Sequence, residues 1–165
     1  MTVFDAILSR RSIRHYSKKE VPSEKIEKIV QAAIYAPSGK NGQPWRFRIV
    51  KDHAIIHELA RQSVRNKWMR MADCVIVVFL NKERSYDYIK DVQSCGAAMQ
   101  NMLLTAHSFN IGCCWIGEVL DYPQRVMETL DIEDENLELM GIITLGYSMQ
   151  REIILHEKQL ENYLI

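Results

Sequence analysis

The sequence predicts a domain of mixed helix and sheet, α/β or α+β, and two observations carry that reading. Segments with helical spacing of apolar residues interleave with short, continuous apolar runs, and interleaved helices and strands define the mixed classes. The 165 residues suffice for one core and contain no repeat, low-complexity tract or linker, so residues 1–165 read as one domain. The pattern leaves the strand order open.

The elements follow in chain order. Thr2 to Ser9 reads as a short helix, with Thr2 at the N-cap, Asp5 at the capping-box position and Phe4, Ile7 and Leu8 on one face. Ser23 starts a second helix with Glu24 and Glu27 in its first turn, Ile26, Ile29, Val30, Ala33 and Ile34 as its apolar stripe, and Pro37 as its stop. The stretch Pro37 to Pro44 is a loop by composition. A strand over Phe47 to Val50 and a helix over His53 to Gln62 follow. Cys74 to Leu80 is apolar throughout, which predicts a strand covered on both faces.

Val92 to Phe109 reads as the longest helix, rich in small residues at Gly96, Ala97, Ala98 and Ala106 that permit close packing, and Asn110-Ile111-Gly112 ends it. Cys113 to Ile116 is a short strand, Pro123 opens another helix, and Leu139 to Leu145 is a further strand. The tail from Glu152 to Ile165 has few polar anchors, which suits packing on a partner subunit.

Composition narrows the function classes. Hydrophobic residues make up 47% and charged residues 25%, ordinary soluble proportions. The net charge of +0 provides no general field for nucleic acid or a membrane surface. The longest apolar run, Cys74 to Leu80, is too short to span a bilayer, and the first residues lack signal-peptide character. A cytoplasmic location is expected. Cys74, Cys95, Cys113 and Cys114 form no CxxC pair and read as reduced core residues, with the vicinal pair Cys113-Cys114 a redox alternative.

Three segments are candidates for chemistry. In Arg10-Arg11-Ser12-Ile13-Arg14, guanidinium forks and a hydroxyl suit phosphate oxygens, and alternation puts Arg10, Ser12 and Arg14 on one side of an extended chain. Alone, such a cluster equally describes a solvated basic patch. The loop Pro37 to Trp45 offers hydroxyl, amide and backbone groups suited to a polar planar ring edge, or is a plain helix-to-strand connection. In Trp115-Ile116-Gly117-Glu118, Gly117 allows close approach to the backbone, or marks a turn. GxGxxG, P-loop and GxSxG motifs are absent, and His53 and His57, four apart, lack the further ligands of a metal site, so no metal is expected.

The order and spacing of several segments resemble the nitroreductase family of flavin mononucleotide (FMN) enzymes. They are Arg10 to Tyr16, Ala36 to Trp45, Gly96 to Leu104 with Ala106-His107, Gly112 to Glu118, Leu145-Gly146-Tyr147 and Lys158 to Glu161. The resemblance is to compact family members and covers essentially the whole chain. It implies an α+β, three-layer fold with a central, mostly antiparallel sheet flanked by helices. It further implies an intertwined homodimer with FMN at the subunit interface, NADH or NADPH as electron donor, and hydride passed by a ping-pong cycle to nitroaromatic, quinone or related acceptors. Other flavin chemistry on the same fold (reductive dehalogenation or flavin fragmentation) and non-catalytic FMN binding are the alternatives.

Carried over by position, Arg10, Arg11, Ser12 and Arg14 would form the first phosphate-and-ribityl segment, with Arg14 towards the N1–O2 edge of the flavin. Pro37, Ser38, Gly39, Asn41 and Gln43 would come from the other subunit, Asn66 would read the pyrimidine edge, and Ile116, Gly117 and Glu118 would lie near flavin N5. The family's C-terminal basic phosphate contact falls on Arg151, with Lys158 behind it, but the usual prolines are missing. The stretches Arg61 to Arg70 and Lys82 to Lys90 are short, which implies an open active site.

Overall fold

A computed structural model gives the architecture and describes residues 1–63, 66–150 and 158–165. The elements are α1 (Val3–Ser9), α2 (Ser23–Ile34), β1 (Trp45–Val50), α3 (His53–Arg61), α4 (Asn66–Met69), β2 (Cys74–Asn81), α5 (Tyr88–Ser108), β3 (Gly112–Ile116), α6 (Pro123–Thr129) and β4 (Leu137–Gly146). The strands form one sheet in the order β1-β2-β4-β3, and every neighbouring pair is antiparallel. This is the α+β arrangement that the resemblance implies.

The sheet is the middle of three layers. On one face, Ile26, Ile29 and Ala33 of α2 and Cys95, Met99 and Met102 of α5 pack against Ile76, Val78, Ile143 and Leu145. On the other, Ile56 and Leu59 of α3, Met69 of α4 and Val126 of α6 pack against Val75, Val77, Phe79 and Ile142. Side chains alternate across a strand, so β2 feeds both cores, and this explains its unbroken apolar run. Burying each large side chain in these clusters stabilises the fold by roughly 1.5–3 kcal/mol.

Local signals set the ends of the elements. Thr2 Oγ1 accepts from the Asp5 N–H at 3.1 Å and Asp5 Oδ2 accepts from the Thr2 N–H at 2.9 Å, a complete capping box for α1. Ser23 is the first residue of α2, with Pro22 rather than a polar side chain at the cap position. α5 starts at Tyr88, a turn before the expected Val92, because the Asp87 carboxylate accepts from the Lys90 N–H at 3.1 Å and caps it there. β1 and β4 begin at Trp45 and Leu137, slightly ahead of the apolar runs that announce them, and α4 is a helix the pattern did not announce. Gly141 adopts φ +147° beside a register slip between Val78 and Phe79, and a Cβ there would lie 2.9 Å from the Trp115 indole nitrogen.

The apolar face of α1 points outward: Phe4, Ile7 and Leu8 are 68%, 49% and 56% exposed, whereas Ala6 is buried. The tail ends in an exposed turn over Leu160–Tyr163. No helix among the described residues is long and apolar enough to cross a membrane.

Candidate functional site

The chain leaves α1 at Arg10 in extended conformation and runs beside the edge strand β3. Ser12 forms a parallel bridge with Cys113, and the Ile13 N–H donates to the Cys113 carbonyl at 2.9 Å. The Ile13 side chain enters the core. Arg10, Ser12 and Arg14 gather at Cys114. Burial raises the Cys114 thiol above its usual range, and the Arg14 charge, a Ser12 hydrogen bond, the Arg10 charge and an Arg14 hydrogen bond oppose that rise. Alternation along an extended strand therefore groups these side chains. Arg11 instead folds back, donating to the Leu8 and Arg10 carbonyls at 2.7 Å.

Arg14 is the most constrained of the set. Its guanidinium lies over the Trp68 ring, 4.7 Å from the centroid, and Gln150 Oε1 accepts from its backbone N–H at 2.8 Å. Its Nε is buried and has no hydrogen-bond partner among the described residues. Leaving a buried donor unsatisfied costs about 1–3 kcal/mol, so this atom is a candidate to meet a bound acceptor. Trp68 was not legible as a site residue. It stands two positions after Asn66, which opens α4.

Next to this cluster, His107 Nε2 lies 2.8 Å from Ser9 Oγ. The Ser9 hydroxyl donates to the Asp5 carbonyl at 2.6 Å, so the imidazole is the donor to Ser9. Burial, then the charges of Arg10 and Arg11, hold the His107 pKa below its ordinary value.

β3 carries the chain to the third segment. Ile116 is buried. Gly117 has φ −92°, a conformation open to any residue, yet a Cβ there would meet nothing within 4 Å. Glu118 Oε2 accepts from the Ser63 hydroxyl at 3.3 Å.

The vicinal cysteines sit on β3 as buried free thiols, and burial pushes Cys113 up to about 12. No group of three or more His, Cys, Asp or Glu side chains placed to hold a metal occurs among the described residues.

The Pro37 to Gln43 loop lies at the opposite edge of the sheet, leading into β1. Its middle forms a short turn over Gly39–Asn41. Lys40, Asn41 and Gln43 all have left-handed backbone, with φ of 52°, 56° and 50°. The Gln43 N–H donates to Ser38 Oγ at 3.1 Å, and Gln43 Nε2 donates to Asn41 Oδ1 at 3.1 Å. The structure thus brings Arg10, Ser12 and Arg14 together beside β3 and places the Pro37 loop away from them within one chain. Arg151 lies outside the described residues, and Lys158 is exposed.

Comparison with known proteins adds to this geometry. The nitroreductase family matches residues 7–63 and 56–147. A protein of Archaeoglobus fulgidus provisionally named NADH dehydrogenase/NAD(P)H nitroreductase is 37% identical over 147 residues, 86% of this chain and 82% of that one. A provisionally named nitroreductase from Desulfovibrio desulfuricans, crystallised in complex with FMN, superposes with a TM-score of 0.94 at 35% identity, covering 100% of this chain and 96% of that one. A provisionally named NADH oxidase from Clostridium acetobutylicum gives 0.90 at 30% identity over 98% of both chains. By fold and by sequence, this chain belongs to the nitroreductase family of oxidoreductases.

Proposed function

We propose that the chain is an FMN-dependent NAD(P)H oxidoreductase that works as a homodimer. The observation that carries the reading is the placement of the Arg10 to Arg14 segment along β3, with Ser12 bridged to Cys113 and the buried Arg14 Nε without a hydrogen-bond partner among the described residues. This donor set fits the cofactor. Guanidinium and hydroxyl donors match phosphate oxygens, and the empty space at the Gly117 Cβ position allows a flat group to approach the backbone. The FMN complex of the Desulfovibrio desulfuricans relative supports the same assignment.

When bound, FMN would supply the chemistry of a ping-pong hydride transfer between NADH or NADPH as donor and a nitroaromatic, quinone or related acceptor. The residues of the chain bind and orient. Arg10 and Ser12 would hold the phosphate and ribityl chain, Arg11 would join them only by releasing the Leu8 and Arg10 carbonyls, and Arg14 would place a fixed cation at the N1–O2 edge, favouring the reduced ring. Asn66 would read the pyrimidine edge, and the backbone from Ile116 through Glu118 would face N5. Arg151 would complete the phosphate contacts. The reading needs no side-chain nucleophile.

Two features support the dimer. Pro37, Ser38, Gly39, Asn41 and Gln43 sit at the edge opposite Arg10 to Arg14, so a second copy would have to supply them to complete the site. The exposed apolar face of α1 and the exposed Leu160, Tyr163 and Leu164 of the tail provide surface for that copy. The test is to titrate purified protein with FMN and then add NADH anaerobically. Binding, bleaching of the flavin absorbance, and parallel reciprocal plots with menadione or nitrofurazone as acceptor are expected. A protein that binds no FMN would refute the proposal.

A further inference from the structure

The side chains that brace the Pro37 to Gln43 loop have no role in the assignment above. We infer that Tyr86 is a positioning residue, holding this loop in the shape in which it meets the cofactor of the opposite subunit. The inference rests on the proposed reading of the loop as a cofactor contact.

The loop needs external support. Lys40, Asn41 and Gln43 are all non-glycine residues in the left-handed region, a conformation that costs of order 1 kcal/mol or more at each position and persists only where the surroundings enforce it. The bonds within the loop are Gln43 N–H to Ser38 Oγ, Gln43 Nε2 to Asn41 Oδ1, Asn41 N–H to the Ser38 carbonyl and Gly42 N–H to the Gly39 carbonyl. They define its curl but do not tie it to the rest of the molecule.

The segment Arg84 to Tyr86 supplies that tie. The Tyr86 ring lies directly against Gly39, where an added Cβ would run into it. One residue on, the Lys40 ammonium sits over the same ring, 4.7 Å from its centroid. At Gly42 an added Cβ would come within 3.1 Å of the Arg84 carbonyl oxygen. Both glycines are therefore points where a bracing segment approaches the loop backbone.

The brace is itself anchored on α5. Asp91 is fully buried, and its Oδ2 accepts from the Ser85 hydroxyl at 2.8 Å, the Tyr86 N–H at 2.9 Å and the Asp87 N–H at 3.1 Å. The Lys90 ammonium lies 5.3 Å from the Tyr86 centroid and pairs with Asp87 at 3.1 Å. A continuous path of contacts thus runs from the longest helix through Asp91 and Tyr86 to Gly39. Tyr86 remains 42% exposed, so it contributes modestly to the core, and its ring is placed to shape the loop.

The test compares FMN dissociation constants of the full-length protein carrying Tyr86→Ala, Tyr86→Phe, Gly39→Ala, the Tyr86→Ala/Gly39→Ala pair, and Gln43→Ala. Tyr86→Ala is expected to weaken FMN about tenfold, which corresponds to about 1.4 kcal/mol, and Tyr86→Phe to stay within about twofold of wild type because the ring is kept. Gly39→Ala should weaken FMN in the wild-type background but have little further effect once Tyr86 is Ala, the non-additivity that contact between the two predicts. If Gln43→Ala weakens FMN while Tyr86→Ala does not, the positioning role is wrong and the loop assignment stands. Full additivity of Gly39→Ala and Tyr86→Ala, or an equal loss in Tyr86→Phe, would also overturn the role. If neither Gln43→Ala nor Tyr86→Ala changes FMN affinity, the loop assignment fails and the inference with it.

Discussion

The Arg10 to Arg14 segment and the Pro37 to Gln43 loop carry most of the proposed cofactor contacts, and they are built differently. The first is an extended chain laid along a sheet edge, where ordinary alternation sends Ile13 into the core and gathers Ser12 and Arg14 at Cys114. Its potential lies in charge and in an unmet donor at Arg14 Nε. The second carries little charge, and its distinguishing property is conformational: three left-handed non-glycine residues held by a neighbouring ring. One region would bind through what its side chains are, the other through the shape its backbone is made to keep.

Substitutions on each side can break this contrast. The largest effect is expected at Arg14. Arg14→Ala removes a charged side chain whose buried Nε has no hydrogen-bond partner among the described residues, and a hydrogen bond to a charged group contributes about 1.5–3 kcal/mol, so FMN affinity should fall roughly ten- to a hundredfold by titration of the apoprotein. Unchanged affinity would show that the orphaned guanidinium donor does not face the cofactor. On the other side, Lys40→Gly should raise unfolding stability by about 0.5–1 kcal/mol in urea denaturation, because glycine enters the left-handed region without steric cost. No gain would mean that the loop stores no strain and that the two regions are less different than they look.

The smallest effect concerns His107, beside Arg10 and Arg11. Its pKa is lowered from 6.5 by burial first and by the two arginines next, so the folded state favours the neutral ring. The associated stability is fully present above pH 6.5 and is lost as pH falls through the depressed value. His107→Gln should therefore flatten the acid-side decline of Tm measured by thermal melts. A variant with the wild-type slope would show that His107 does not contribute to that decline.

Some of this was readable from residue types. The capping box of α1, the two-faced burial of β2, and the grouping of Arg10, Ser12 and Arg14 all follow from short-range periodicity, and the structure shows each. The bracing residues were not readable. Tyr86 stands in a polar connection and Asp91 within a helical run, and nothing near them in the sequence points to Gly39, which they support from more than forty residues away. The backbone strain was hidden for a related reason. In this loop the left-handed residues are Lys40, Asn41 and Gln43, whereas Gly42 has φ −65°, so a search for glycine at strained positions looks at the wrong residues.

By itself, the sequence determined the interleaved elements, the family order of its polar and basic segments, and the chemical character of the first binding segment, because these depend on spacing within a few residues along the chain. Only the tertiary structure decided that the Arg10 segment joins the β3 edge while the Pro37 loop sits at the β1 edge, and that Trp68 and Tyr86 lie against Arg14 and Gly39. Those facts depend on strand order and on packing between distant elements, and local periodicity carries no information about either.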